Sequence, residues 1–398
     1  MVRVQVIATA EEFSQACVAI GNGTGPVAID AERASGFTYS QRAYLIQVHR
    51  REAGTFLFDP PAIGDMSLLG QTLGSEEYVL HAASQDLACL REVGIAPTRI
   101  FDTELSARLL GMERVGLGPV VEALLGIHLA KEHSAADWST RPLPEPWLTY
   151  AALDVELLVD VRDEIEKLLT ESNKLDWAHE EFLATLNKPE KLPMAEPWRK
   201  LSGLHTLKSP RQLAIARSLW RTRDDIAQRR DVSPGRLIPD ASIIAASRST
   251  IANKGALASL KEFNGRASRS LIDSWWQAIV DGLNDTELPV MRIPSDTLPP
   301  PRAWVDRKPD ALERLQTARE LLQVRAEDLS MPVENLLTPS ILREVAWAPP
   351  APITAESIGQ ALAGHGARAW QIGETSALIA QAFVEADQRI PENEPTDS

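Results

Sequence analysis

The chain has 398 residues, 44% of them apolar and 24% charged, and a formal net charge of −14. Such a composition belongs to an ordinary globular protein long enough for two or three domains, and no apolar run is long enough for a membrane span. So acidic a balance argues against a general affinity for nucleic acid.

Residues 2–8 alternate as a strand and carry no secretory apolar region, so a cytoplasmic protein is expected. A helix over 11–20 follows, then strands over 27–31, 43–48 and 55–58 joined by short polar turns, as in an antiparallel meander. From there strands and helices alternate. A strand over 78–81 leads to a helix capped by Ser84 with Asp86 in its first turn, then helices over 102–110 and 115–125. A long helix runs through Asp154 to about Leu169, and helical residues 177–186 close the first unit before a linker marked by Pro189, Pro193 and Pro197.

The remainder reads as two diverged copies of one helical unit. The first takes helix 210–227, segment 231–244, residues 257–263, Gly265 and a helix through Trp275-Trp276. The second takes helix 311–324, segment 331–342, residues 358–362, Gly364 and Gly366, and helix 372–383. The pairs Leu237/Leu336, Ile238/Leu337 and Ile243/Leu342 recur at a constant offset, which indicates duplication. Pro299-Pro-Pro301 belongs to the spacer between them, and the tail from residue 390 reads as disordered. Cys17 and Cys89 sit in apolar helical contexts and read as buried free thiols. The seven His show no metal-ligand spacing, and His81 reads as a core histidine.

Chemistry concentrates in a few acids. In Pro26-Val-Ala-Ile-Asp-Ala-Glu32 an apolar strand ends in two carboxylates spaced by two, which alternation puts on one face. Their repulsion would be offset by a hard divalent cation. Asp86 and Asp154 lie in suitable contexts further on, and Tyr150 stands one helical turn before Asp154, where it also suits packing.

Together Asp30, Glu32, Asp86, Tyr150 and Asp154 resemble the DEDDy branch of the DnaQ-like 3′–5′ exonucleases, of the ribonuclease D type. Leu45-Ile46-Gln47, Leu80-His81-Ala82, Phe101-Asp102-Thr103-Glu104-Leu105 and Ala136-Asp137-Trp138…Arg141-Pro142-Leu143 extend the resemblance across residues 1–185. The chain departs from the pattern at Ala31, at Gln41 and at Arg33, where an aromatic or aliphatic residue is usual. The resemblance implies an α/β RNase H-like exonuclease domain with a mixed sheet over 1–190, followed by two small all-α HRDC-like domains over 205–288 and 304–389. It implies two divalent ions, Mg²⁺ or Mn²⁺, on Asp30, Glu32, Asp86 and Asp154, with Tyr150 orienting the attacking water. It further implies a monomeric exoribonuclease acting on RNA 3′ ends such as tRNA precursors; a DNA exonuclease in repair and a non-catalytic RNA-binding scaffold are the alternatives.

Charge separates the two helical copies. Residues 199–269 carry 15 Lys/Arg against 5 Asp/Glu, whereas residues 300–398 carry 9 against 15. Arg217, Arg221, Arg223, Arg229, Arg230 and Arg236 in the basic island are the candidate RNA-phosphate contacts. The acidic second copy reads as a spacer or a clamp against the exonuclease domain.

Overall fold

The computed structural model describes residues 5–129, 136–189, 192, 194–293 and 297–389. Six strands form one mixed sheet: β1 (Val6–Ile7), β2 (Thr24–Arg33), β3 (Ala43–Arg51), β4 (Gly54–Phe58), β5 (Tyr78–Leu80) and β6 (Ile100–Asp102), in the order β1-β4-β3-β2-β5-β6. The β2–β3 and β3–β4 pairs are antiparallel, as the meander predicts, while β1–β4, β2–β5 and β5–β6 are parallel. The first strand is described only over Val6–Ile7, and β6 was not expected, because three residues are too few to show a period.

Strand β2 is buried on both faces, and its alternation sorts the side chains between two clusters. Val27, Ile29 and Ala31 enter the main core, whereas Ala28 packs on Val79, Val155 and Leu158 on the other side. Asp30 and Glu32, in step with Ala28, continue toward that second side. Among the described residues nine helices accompany the sheet, α1 (Ala10–Gly21), α2 (Pro60–Ile63), α3 (Ser67–Leu73), α4 (Leu87–Glu92), α5 (Thr103–Leu109), α6 (Leu117–Leu125), α7 (Glu145–Glu156), α8 (Leu158–Glu171) and α9 (Leu175–Leu186), and α10 (Pro210–Arg230) is the long helix of the first helical unit. The single long helix expected through Asp154 is two helices, broken at Leu157. The break lets α7 lie across β2, β3 and β4 while α8 turns toward β2 and β5. One straight cylinder would not bury both Ala151-Ala152 and Val161-Ile165.

Both helical units have the element order expected of a duplication, and the paired positions 237/336, 238/337 and 243/342 are all buried. Their relation to the sheet differs. The first has a hydrophobic core of its own over Trp198–Ile279. The second merges with the core beneath the sheet, which runs continuously from Phe13 to Phe383. Helix α9 makes that join: Trp177 stacks on Trp370 at 4.7 Å, and Glu181 accepts the Trp370 indole N–H and pairs with Arg368. The Lys174 ammonium donates to the Leu109 and Leu329 carbonyls. A Cβ on Gly111, at φ +69°, would meet the Ser330 carbonyl at 2.1 Å, so only glycine fits that approach. These contacts favour the clamp over the spacer. Cys17 and Cys89 are buried and free. The tail from residue 390 lies outside the described residues.

Candidate active site

The five residues singled out in the sequence line one cleft of about 510 Å³. Carboxylate oxygens of Asp30, Glu32 and Asp154 lie within 4.8 Å of one another. Strand β2 supplies the first two by alternation, and α7, lying across β2, supplies Asp154 and, one turn earlier, Tyr150. Asp86 arrives differently from the expectation. Ser84 is not a cap; it lies in a 3₁₀ turn over Ala83–Gln85, and Asp86 is the residue before α4. Its carboxylate makes no capping bond, which frees it for the cleft. Asp102 shapes that turn by accepting the Ala82 and Ala83 amides, with Ala82 left-handed at φ 67°.

Alternation would send Arg33 to the opposite face from Glu32. At the end of the strand the long Arg33 side chain nevertheless reaches the cleft, 3.8 Å from Asp86; the register shift beside it inserts Tyr44 on β3, between Leu45 opposite Glu32 and Ala43 opposite Arg33. Reach across the end of a strand leaves no mark in residue types, so the sequence flagged Arg33 only as an odd residue.

The acids are held in an expensive state. Burial, then the facing charges of Asp30, Asp154 and Asp86, push Glu32 up to about 9. Asp86 rises to about 8 through burial and Asp30, Asp154 to about 8 for the same two reasons, and burial also raises Asp30. The Tyr150 phenol is raised by burial and by Asp154, Glu32 and Asp30, and it hydrogen-bonds to the Asp154 carboxylate. A set of four carboxylates and no sulfur or nitrogen donor fits hard divalent ions, which would offset this repulsion. His81 bonds to the Thr103 hydroxyl at 2.9 Å, and burial pulls it down to about 4, so it is neutral near pH 7.

The segment Asp137–Leu143 is scaffolding. Trp138 is fully buried against Trp147, and Arg141 spans both Asp59 oxygens and the Tyr44 carbonyl, anchoring the approach to α7.

The basic island needs correction. Arg223 is buried, donating to Asp240 and the Ile238 carbonyl; Arg217 pairs with Asp285; Arg236 donates to the Gly36 carbonyl and lies over the Phe37 ring. Arg217 and Arg223 serve packing because α10 is packed on the other helices of its unit, so part of its Arg stripe faces inward, and Arg236, in the short helix Pro234–Leu237 that follows, serves docking. Arg221, Arg229 and Arg230 are exposed and form no salt bridge among the described residues. Sequence reasoning also missed Asp231. Left-handed at the end of α10, it accepts the Tyr39 and Ser40 amides and the Ser40 and Tyr44 hydroxyls and pairs with Arg42 at 3.3 Å. It docks the first helical unit on the loop that leaves β2.

Comparison with known families and structures agrees with this architecture. Family models match residues 4–170 as a 3′–5′ exonuclease, 212–279 as an HRDC domain and 297–383 as a 3′ to 5′ exonuclease C-terminal domain. The second helical copy therefore matches a family of its own rather than HRDC. Ribonuclease D of Pseudomonas paraeruginosa is 31% identical over 325 residues, covering 79% of this chain and 82% of that protein. Ribonuclease D of Xanthomonas oryzae pv. oryzae is 30% identical over 320 residues, covering 77% and 82%. Among solved structures, a protein from Bifidobacterium adolescentis superposes with a TM-score of 0.89 at 35% identity, over 96% of this chain and 97% of that one. Escherichia coli RNase D, an exoribonuclease involved in structured RNA processing, gives 0.66 at 25% identity, over 91% and 98%.

Proposed function

Since the chain belongs to the ribonuclease D family and is a 3′–5′ exoribonuclease, we propose that Asp30, Glu32, Asp86 and Asp154 hold two divalent ions, Mg²⁺ or Mn²⁺, at the RNA 3′ end. The observation that carries this reading is the convergence of three carboxylates within 4.8 Å in a cleft that Asp86 and Tyr150 also line. When bound, such ions supply charge stabilisation to the attacking and leaving oxygens of a phosphodiester. Asp30, Glu32 and Asp154 suit the nucleophile side, and Asp30 with Asp86 the leaving-group side. Tyr150, its acidity suppressed, stays protonated near neutral pH; it holds Asp154 by its hydrogen bond and orients the attacking water rather than deprotonating it. Neutral His81 adds no charge to the cleft and braces its wall through Thr103. The proposed substrates are structured RNAs such as tRNA precursors, met by a monomer in the cytoplasm.

The test is hydrolysis of matched RNA and DNA oligomers labelled at the 5′ end, with Mg²⁺ or Mn²⁺, by the native chain and by Asp30→Ala and Asp154→Ala. RNA should shorten from its 3′ end in single-nucleotide steps, while both variants bind RNA and leave it intact. Near-native turnover in either variant at saturating Mg²⁺ would overturn the site, and a preference for DNA would overturn the substrate.

A further inference from the structure

Among the described residues, Arg33 is the only Lys or Arg lining the cleft. It stands at the last position of β2, from which its long side chain reaches the acids of the cleft. At 3.8 Å its guanidinium is within Coulombic reach of Asp86 but too far for a hydrogen bond, and it makes none among the described residues. A fork of donors facing the cleft, with none of them bonded to an acceptor there, is matched to phosphate oxygens, which it can meet in pairs.

We propose that Arg33 is an anion-binding residue that exchanges partners during the catalytic cycle: it balances Asp86 in the metal-free cleft and passes to an RNA phosphate once a divalent ion takes Asp86. This rests on the assignment of Asp86 as a metal ligand made above. A cation arriving at Asp86 repels the guanidinium, and a nucleotide phosphate in the cleft offers it a new acceptor. Metal and RNA therefore bind cooperatively, and linkage makes the effect reciprocal. An apolar side chain at this position would remove both the opposition to the metal and the grip on the phosphate.

The experiment measures Mn²⁺ affinity by calorimetry for the native chain, Arg33→Leu and Arg33→Lys, with and without uridine 5′-monophosphate as an uncleavable product. Without nucleotide, Arg33→Leu should bind Mn²⁺ about tenfold more tightly than the native chain, and Arg33→Lys within about threefold of it. Nucleotide should tighten Mn²⁺ binding by a clearly larger factor in the native chain than in Arg33→Leu. Arg33→Gln, a smaller change, repeats the comparison should the leucine variant fail to fold. Unchanged Mn²⁺ affinity in the nucleotide-free variants, or an equal nucleotide-induced gain in native and Arg33→Leu protein, overturns the proposal. Asp154→Ala separates the two levels: if the native chain binds no Mn²⁺, or Asp154→Ala binds it as well, the metal assignment itself falls and the partner exchange with it.

Discussion

Glu32→Gln isolates how much of the cleft's electrostatic cost one carboxylate carries. In the metal-free fold, burial and the facing acids lift Glu32 from the usual 4.5 to about 9. Between those values the folded chain keeps a proton that the unfolded chain has released. Stability must then fall as pH rises through this window, at about 1.4 kcal/mol per pH unit for one proton, or about 3 kcal/mol by pH 7. Glutamine preserves the shape and cannot ionise, so the variant lacks this slope and relieves the repulsion on Asp30 and Asp154. The assay is urea unfolding in EDTA from about pH 5 to pH 9, followed by tryptophan fluorescence, since Trp138 sits fully buried in the exonuclease part. The native stability should decline more steeply with pH than that of the variant, by about one proton's worth. Saturating Mn²⁺ should cancel the native decline, because metal binds the deprotonated acids. Parallel slopes for the two proteins would refute the reasoning.

Tyr150→Phe should leave fold and Mn²⁺ affinity intact but slow single-turnover cleavage by about 10²–10³-fold; an unchanged rate would make Tyr150 a packing residue. Asp231→Ala should loosen the first helical unit from the exonuclease domain by about 2 kcal/mol, read as faster hydrogen exchange at Tyr39 and Ser40, whose amides Asp231 accepts. Burial pulls the Asp231 acid upward, but the bonds from Ser40 and Tyr44 and the charge of Arg42 outweigh it and lower its pKa. Docking should accordingly hold near neutral pH and weaken only as pH falls through that depressed value, a titration that Asp231→Asn should abolish. Neutralising Arg221, Arg229 and Arg230 together should weaken RNA binding and reduce its salt slope by about 2, at about 0.7 per phosphate on single strands. Neutralising exposed Arg302, Arg307 and Arg319 should do little, and an equal effect would end the division of labour between the two helical units.

What could be read in advance and what could not divides along a physical line. Asp30 and Glu32 were legible because a strand's alternation is a property of the strand itself, and Tyr150 with Asp154 because helical spacing is equally local. The constant offset between Leu237 and Leu336 likewise located buried positions, since both units bury the same pattern. Arg33 escaped because its nearness to Asp86 joins the end of β2 to a turn far along the chain, a contact that no local period encodes. The break at Leu157 escaped because it answers to two surfaces, β2–β4 and β2–β5, that only the folded sheet presents. Arg223 was misassigned for a related reason: a charged residue inside a basic run looks solvated until its partner, Asp240, is seen 2.8 Å away. Asp231 was invisible as a docking group because its acceptors' partners lie about 190 positions earlier in the chain.

The join at α9 has an implication for how the polypeptide could be rebuilt. The bodies in space do not follow the order of the chain: segments around 13–182 and 304–383 share one interior, and 198–279 is a parenthesis with an interior of its own. Truncation after residue 190 would strip Trp177 of Trp370 and leave the Lys174 ammonium without the Leu329 carbonyl. A spliced chain that omits the parenthesis and rejoins its two sides with a flexible tether would keep both. The shortest self-sufficient catalyst is then a discontinuous sequence, and the N-terminal fragment alone is an incomplete one.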